Sequence, residues 1–189
     1  DSGLTTAFDQ PGLTDGTFGF LPSHNAHKFK VFVSYQIGDW LTLGAQFQAI
    51  SPRKFGCIGR VPRVRDPFAG AYGAAGFYCN TDDSGNVITD PSKAAVNTTS
   101  ATTLKLTPRG SQLQSDWNVF TNLSAVFKLP TDAVDASFRV DVFNVFNQKG
   151  VLDLRELGTQ SNGNPRGDYG TPLSYQQPRY FRFQFGVNF

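Results

Sequence analysis

The residue types that do chemistry are sparse in this chain and lie mostly between positions 24 and 90. Cys57 and Cys79 are the two cysteines. Neither a CxxC spacing nor a neighbouring histidine accompanies them, so they read as a disulfide rather than a metal or redox pair. Closing a loop of about 20 residues in this way stabilises a fold by roughly 3 kcal/mol. His24 and His27 stand three apart without a carboxylate or cysteine beside them, which is a poor ligand set for a metal. Asp82-Asp83-Ser84-Gly85-Asn86 with Asp90 lacks the acidic spacing of a calcium loop and reads as a hairpin turn. Gly70, Gly73 and Gly76 neither follow a strand nor open a helix, which argues against a nucleotide loop, and no nucleophile-elbow motif stands out. The sequence thus offers no catalytic set, no metal site and no cofactor-binding residues.

The basic group Arg53, Lys54, Arg60, Arg63 and Arg65 has a different potential, because guanidinium and ammonium groups clamp phosphates and carboxylates. It would hold an anionic ligand or bridge the phosphates of an outer leaflet. Solvation near headgroups accounts for it equally well. Phe68, Tyr72, Phe77 and Tyr78 in the same stretch would face a ligand or pack the loop on itself, and packing is the simpler reading.

These residues have to be held by strands. In the last nine residues, Phe181, Phe183, Phe185, Val187 and Phe189 fall on one face of an extended segment, and Arg182, Gln184, Gly186 and Asn188 on the other. The same alternation recurs over about 27–37 (Phe29, Val31, Val33, Tyr35, Ile37), 40–51 (Leu41, Leu43, Ala45, Phe47, Ala49) and 115–129 (Trp117, Val119, Leu123, Ala125, Phe127, Leu129). A fourth such segment starts near Asp135 (Ala136, Phe138, Val140, Val142) and loses register at Phe143-Asn144-Val145-Phe146-Asn147, where a bulge is expected. Gly38-Asp39 and Leu129-Pro130-Thr131-Asp132 are tight-turn chemistry. By contrast, 1–26, 52–112 and 158–173 show little periodicity and read as loops, the second too long for an ordinary connection.

Composition agrees with strands that meet lipid. Charged residues make up 17% of the chain and Phe alone accounts for 18 positions, whereas soluble domains carry about 25% charge. No apolar run reaches the roughly 18 residues of a membrane helix. The net charge of +2 comes from scattered basic residues, which gives no surface for nucleic acid. Connections alternate short and long, and outer-membrane barrels have tight periplasmic turns, longer external loops and lipid-facing residues at every second position. The expected fold is therefore all-β, an antiparallel transmembrane β-barrel segment. Residues 1–26 form an extracellular loop segment and 27–189 the C-terminal barrel strands, with long extracellular loops 52–112 and 158–173 and a periplasmic C-terminus. Five strands cannot close a barrel, whose smallest forms have about eight, so the missing strands must come from the same polypeptide or from other chains. With no Met in the chain, Asp1 reads as an internal start. The competing expectation is a structural or binding module, either a soluble β-sandwich or a surface barrel built from several chains.

The segment Arg139-Val140-Asp141-Val142-Phe143-Asn144-Val145-Phe146-Asn147 resembles the penultimate strand of TonB-dependent outer-membrane receptors. Pro108-Arg109-Gly110-Ser111 followed by Trp117 and Asn118 resembles the approach to the preceding strand. Tyr175-Gln176-Gln177-Pro178-Arg179-Tyr180 leading to Phe189 resembles the last strand, whose terminal aromatic serves barrel assembly, and Leu21-Pro22-Ser23-His24-Asn25-Ala26-His27 also fits. Together they are most similar to the Oar-like subgroup. That resemblance implies a 22-stranded barrel, a plug domain, and energised passage of a bulky ligand across the outer membrane, inward or outward. It implies outer-membrane lipid, the remaining strands and plug, and the TonB complex as partners. The TonB complex would act through a plug that these residues do not contain, so no coupling residue is carried over.

Overall fold

Alternation with a period of two makes extended strands, and the computed structural model, which describes residues 10–93, 104–129 and 134–188, has five long ones. In chain order, β1 is Lys28–Ile37, β2 Leu41–Ile50, β3 Lys54–Phe55, β4 Tyr78–Asn80, β5 Leu104–Leu106 and β6 Leu113–Gln114. These are followed by β7 Asn118–Leu129, β8 Asp135–Phe143, β9 Val151–Leu154, β10 Pro172–Tyr175 and β11 Tyr180–Asn188. The protein is all-β with antiparallel sheets, and α1, Ala69–Tyr72, is a single helical turn.

The long strands form one sheet in the order β1-β2-β7-β8-β11, so each lies beside its predecessor and the sheet is a meander interrupted twice. Residues 38–40 make the short return from β1 to β2; β7 runs into β8 at the same end of the sheet, and β2 leads to β7 and β8 to β11 from the other end. Most of the turn expected at Leu129-Pro130-Thr131-Asp132 lies outside the described residues. The sheet is open, with β1 and β11 at its edges.

Register keeps the two faces distinct across all five strands. One apolar row runs Phe183, Val140, Ala125, Leu43, Tyr35, and the adjacent polar row runs Arg182, Asp141, Ser124, Gly44, Ser34. Aromatic rings step across the apolar face from Trp40 to Phe127 (6.4 Å), Phe138 (6.5 Å) and Phe183 (6.3 Å), within the range at which ring pairs attract. The burial is inverted relative to a soluble sheet. Phe183 is 66% exposed, whereas Asp141 on the opposite face is 3% exposed. In place of the bulge expected at 143–147, β8 ends at Phe143 and the chain turns. Asn144 and Asn147 adopt φ of 50° and 49° there, a left-handed conformation that Asn tolerates better than most side chains.

The chain forms two compact units. One contains the long strands, in residues 25–52, 116–152 and 175–189; the other gathers 1–24, 53–115 and 153–174. The stretches expected as loops therefore have a fold of their own, made of the two-stranded antiparallel sheets β3–β6 and β4–β5 and α1. Its strands are two or three residues long, too short to carry a readable period. Every buried apolar residue among those described, Phe55, Cys57, Val61, Ala69, Cys79 and Leu104, belongs to this unit.

The disulfide Cys57–Cys79 lies in that core. The segment 153–174 holds it: Ile58 N donates to Glu156 O at 2.8 Å, Gly158 N donates to Ile58 O at 2.9 Å, and Gly56 N donates to the Glu156 carboxylate at 3.0 Å. Gly158 is pressed against the sulfurs, because a Cβ there would run into Cys57 Sγ and lie 2.9 Å from Cys79 Sγ. Overpacking of a closed core costs about 1–3 kcal/mol. Gly158→Ala is therefore expected to destabilise this unit by that amount in a denaturant titration, while Gly85→Ala, with open space around it but a φ of +86°, loses only local turn stability and leaves the core protease-resistant. Equal loss of protease resistance in both would contradict the packing.

Candidate functional site

Strand parity and register build a charged cluster on the polar face of the five-stranded sheet. Arg139 lies two residues from Asp141 on β8, hence on the same face, and Arg182 of β11 is directly opposite Asp141. Arg139 Nε donates to Asp141 Oδ1 at 2.8 Å, and Arg182 donates to Oδ2 through Nε at 2.9 Å and Nη2 at 2.8 Å. A buried carboxylate held by two guanidiniums is satisfied on both oxygens, and the group keeps one net positive charge. The Arg182 guanidinium also stands 5.2 Å over the Phe143 ring, which stacks on Tyr180 at 4.5 Å.

Beside this cluster, Asn144 is 4% exposed and closes the end of β8. Its Nδ2 donates to Gln148 O (2.9 Å) and Gln177 O (2.7 Å), and its Oδ1 accepts from Gln148 N (3.0 Å). Asn122 ties it to β7 by accepting from Asn144 N at 2.9 Å while donating to Gln46 Oε1 at 3.2 Å. A cavity of about 240 Å³ opens here, walled by Phe120, Phe143, Pro178 and Tyr180 with Asn144 and Gln176. Asn118 Oδ1 and Gln176 Oε1, from two residues that line it, are buried without a donor among the described residues. Rings and amide oxygens of this kind offer stacking and hydrogen-bond acceptance to a neutral group or an ordered water.

In the other unit, the basic residues singled out from the sequence do not form one group. Arg53 pairs with Asp153 at 3.2 Å and stacks 4.3 Å over Phe55; Lys54 donates to Gln114. Arg65 makes a two-pronged bond to Asp15, through Nε to Oδ2 and Nη2 to Oδ1. That bond, with the Tyr78 hydroxyl also donating to Asp15 at 2.7 Å, holds the Asp15 carboxyl below its ordinary range. Only Arg60 and Arg63 converge, near Gly70. Of the aromatics, Phe68 is exposed. Tyr72 donates to Asp66 Oδ2 at 2.6 Å, which lowers the Asp66 pKa, and burial together with that bond pushes the tyrosine up to about 12. Asp82 to Asn86 does form a turn, in which Asn86 N donates to Asp82 Oδ1 at 2.8 Å.

On β11 the structure places Phe181, Phe183 and Phe185 exposed on the apolar face and Val187 half-buried. Phe189 lies outside the described residues. The sequence reading missed the Asp141 cluster. Its signal was there in part, since Arg139 and Asp141 share a parity, but Arg182 joins only through the register of a strand 41 residues away. Compared with known proteins, the chain matches no family model, no curated protein and no solved structure.

Asp168 gives the unit that holds the disulfide a dependence on acid. Arg166 grips it through Nε (2.8 Å) and Nη2 (2.9 Å), and Arg155 approaches to 3.2 Å. The Arg166 bonds lead in bringing its pKa down to about 2. A carboxylate depressed in the folded state stabilises above its unfolded pKa of about 3.9 and loses that contribution as pH falls through the folded value. An NMR titration is expected to show the Asp168 carboxyl protonating near pH 2, and Arg166→Gln to move that transition up toward pH 4. An unchanged midpoint in the variant would rule out the grip.

Proposed function

We propose that this chain supplies five adjacent strands of an outer-membrane β-barrel of the TonB-dependent receptor type and takes part in the energised passage of a bulky ligand. The observation that carries the reading is the inverted sheet. Its apolar rows carry exposed side chains on each of the five paired strands, Val33, Leu43, Leu123, Phe138 and Phe183 among them, while its most buried side chains, Asp141 and Asn144, belong to the polar side or to the strand end next to it. In water a contiguous exposed apolar face of this kind is a liability or an interface. In a barrel wall it is the surface that acyl chains cover, and the polar face lines the lumen.

Strand length supports the same reading. The five strands run 9–12 residues, and about 9–11 tilted residues span the hydrocarbon. Short returns at one end and long connections at the other match periplasmic turns and external loops. A disulfide in the connections suits an oxidising exterior. The open edges of β1 and β11 would be paired by the remaining strands, about 22 in all by the resemblance, because unpaired backbone groups in hydrocarbon cost several kcal/mol each. A plug and the TonB complex complete the proposed assembly, and the resemblance of Arg139 to Asn147 and of Tyr175 to Phe189 is what favours this receptor type over other barrels.

Phe185 lies near the middle of β11 opposite Phe138, and Gln184 lies opposite Arg139. Phe185→Arg is expected to cost about 2–4 kcal/mol of folding free energy in bilayers, the charge penalty near a membrane midplane. Gln184→Glu, which faces Arg139, is expected to be neutral or mildly stabilising. Equal sensitivity of the two positions in a folding titration, or recovery of the wild type as a folded monomer without detergent, would overturn the barrel reading.

A further inference from the structure

We infer that Arg60 and Arg63 form a binding site for a phosphate group over Gly70. Arg60 is 8% exposed, its Nη1 donates to Ser161 O at 2.6 Å, and its Nε is buried without an acceptor among the described residues. Burying a guanidinium is costly unless an anion accompanies it. While Arg109 stands over the Phe77 ring and Arg179 donates to Val145 O, Arg53, Arg65, Arg139, Arg155, Arg166 and Arg182 each lie within 3.2 Å of a carboxylate oxygen. Among the described residues Arg60 and Arg63 have no such partner.

The two guanidiniums, neither with a carboxylate among the described residues, also point at the same place. A Cβ on Gly70 would lie 3.2 Å from Arg63 Nη2, 3.7 Å from Arg63 Nε and 3.4 Å from Arg60 Nη2. The two like charges close over Gly70, which is itself exposed to solvent. Mutual repulsion makes that arrangement unfavourable until an oxyanion enters. A phosphate group suits the site because its several acceptor oxygens can meet donors from both forks at once. The site lies within one compact unit and does not depend on the strands being transmembrane, so it stands or falls separately from the proposed function.

Calorimetry on the intact protein in phosphate-free detergent buffer, at constant ionic strength, tests the site with two probes, inorganic phosphate and micelles of short-chain phosphatidic acid. Saturable binding is expected, weakened at least about tenfold by Arg63→Gln, the loss of one charge-assisted donor set. Gly70→Asp is expected to abolish it by placing a carboxylate between the guanidiniums, where it pairs with them as Asp141 pairs with Arg139 and Arg182. Lys105→Gln, an exposed cation elsewhere in the unit, is expected to leave binding unchanged. Binding of inorganic phosphate with these losses supports a soluble phosphorylated ligand, and binding of the lipid alone with the same losses supports a headgroup. Absence of binding by either probe, or binding that Arg63→Gln and Gly70→Asp leave intact, would overturn the inference.

Discussion

The sheet depends on a separation of polarity that runs against the usual direction of folding in water. Its inner strands are hydrogen-bonded on both sides, yet its largest side chains are left uncovered on one side and its buried charge sits on the other. Burial of apolar surface is the dominant favourable term for a soluble domain, and the five strands gain little of it alone. Under the proposed function the lipid supplies that burial. The Asp141 cluster then faces a lumen, where a paired carboxylate costs less than it would in hydrocarbon.

The connections solve the opposite problem. They extend from strands whose own faces supply no buried apolar core, so they build one from Phe55, Val61, Ala69 and Leu104 around the disulfide. Their order comes from side chains that satisfy backbone groups over long sequence distances. Asn80 Nδ2 donates to Gly163 O, Thr107 Oγ1 to Cys57 O and the Tyr169 hydroxyl to Gly56 O.

Much of the sheet was legible because one physical rule, alternation with a period of two, fixes both the presence of a strand and the face each residue takes. The face taken by Val140 and by Phe183 follows from it directly, whereas their standing opposite each other comes from the register. The cysteine pairing was legible from composition. The fold of 53–115 was not, since strands of two or three residues leave no period and α1 is a single turn. The basic residues were misleading as a group for the same reason. Nearness in sequence put Arg53 to Arg65 together, but Asp153 and Asp15 draw two of them apart across distances of 100 and 50 residues. Likewise Phe143 and Asn144 suggested a bulge, whereas the local hydrogen bonding of the Asn144 side chain ends the strand instead.

The most direct test of the inverted sheet is spin-label accessibility along β11 in the protein reconstituted with lipid bilayers. Labels placed singly at Phe181 through Val187 would be relaxed by oxygen, which partitions into lipid, and by a polar nickel chelate, which does not. Positions 181, 183, 185 and 187 are expected to respond to oxygen, and 182, 184 and 186 to the chelate. A profile without that two-residue alternation, or one in which the odd positions respond to neither reagent because another protein layer covers them, would contradict it.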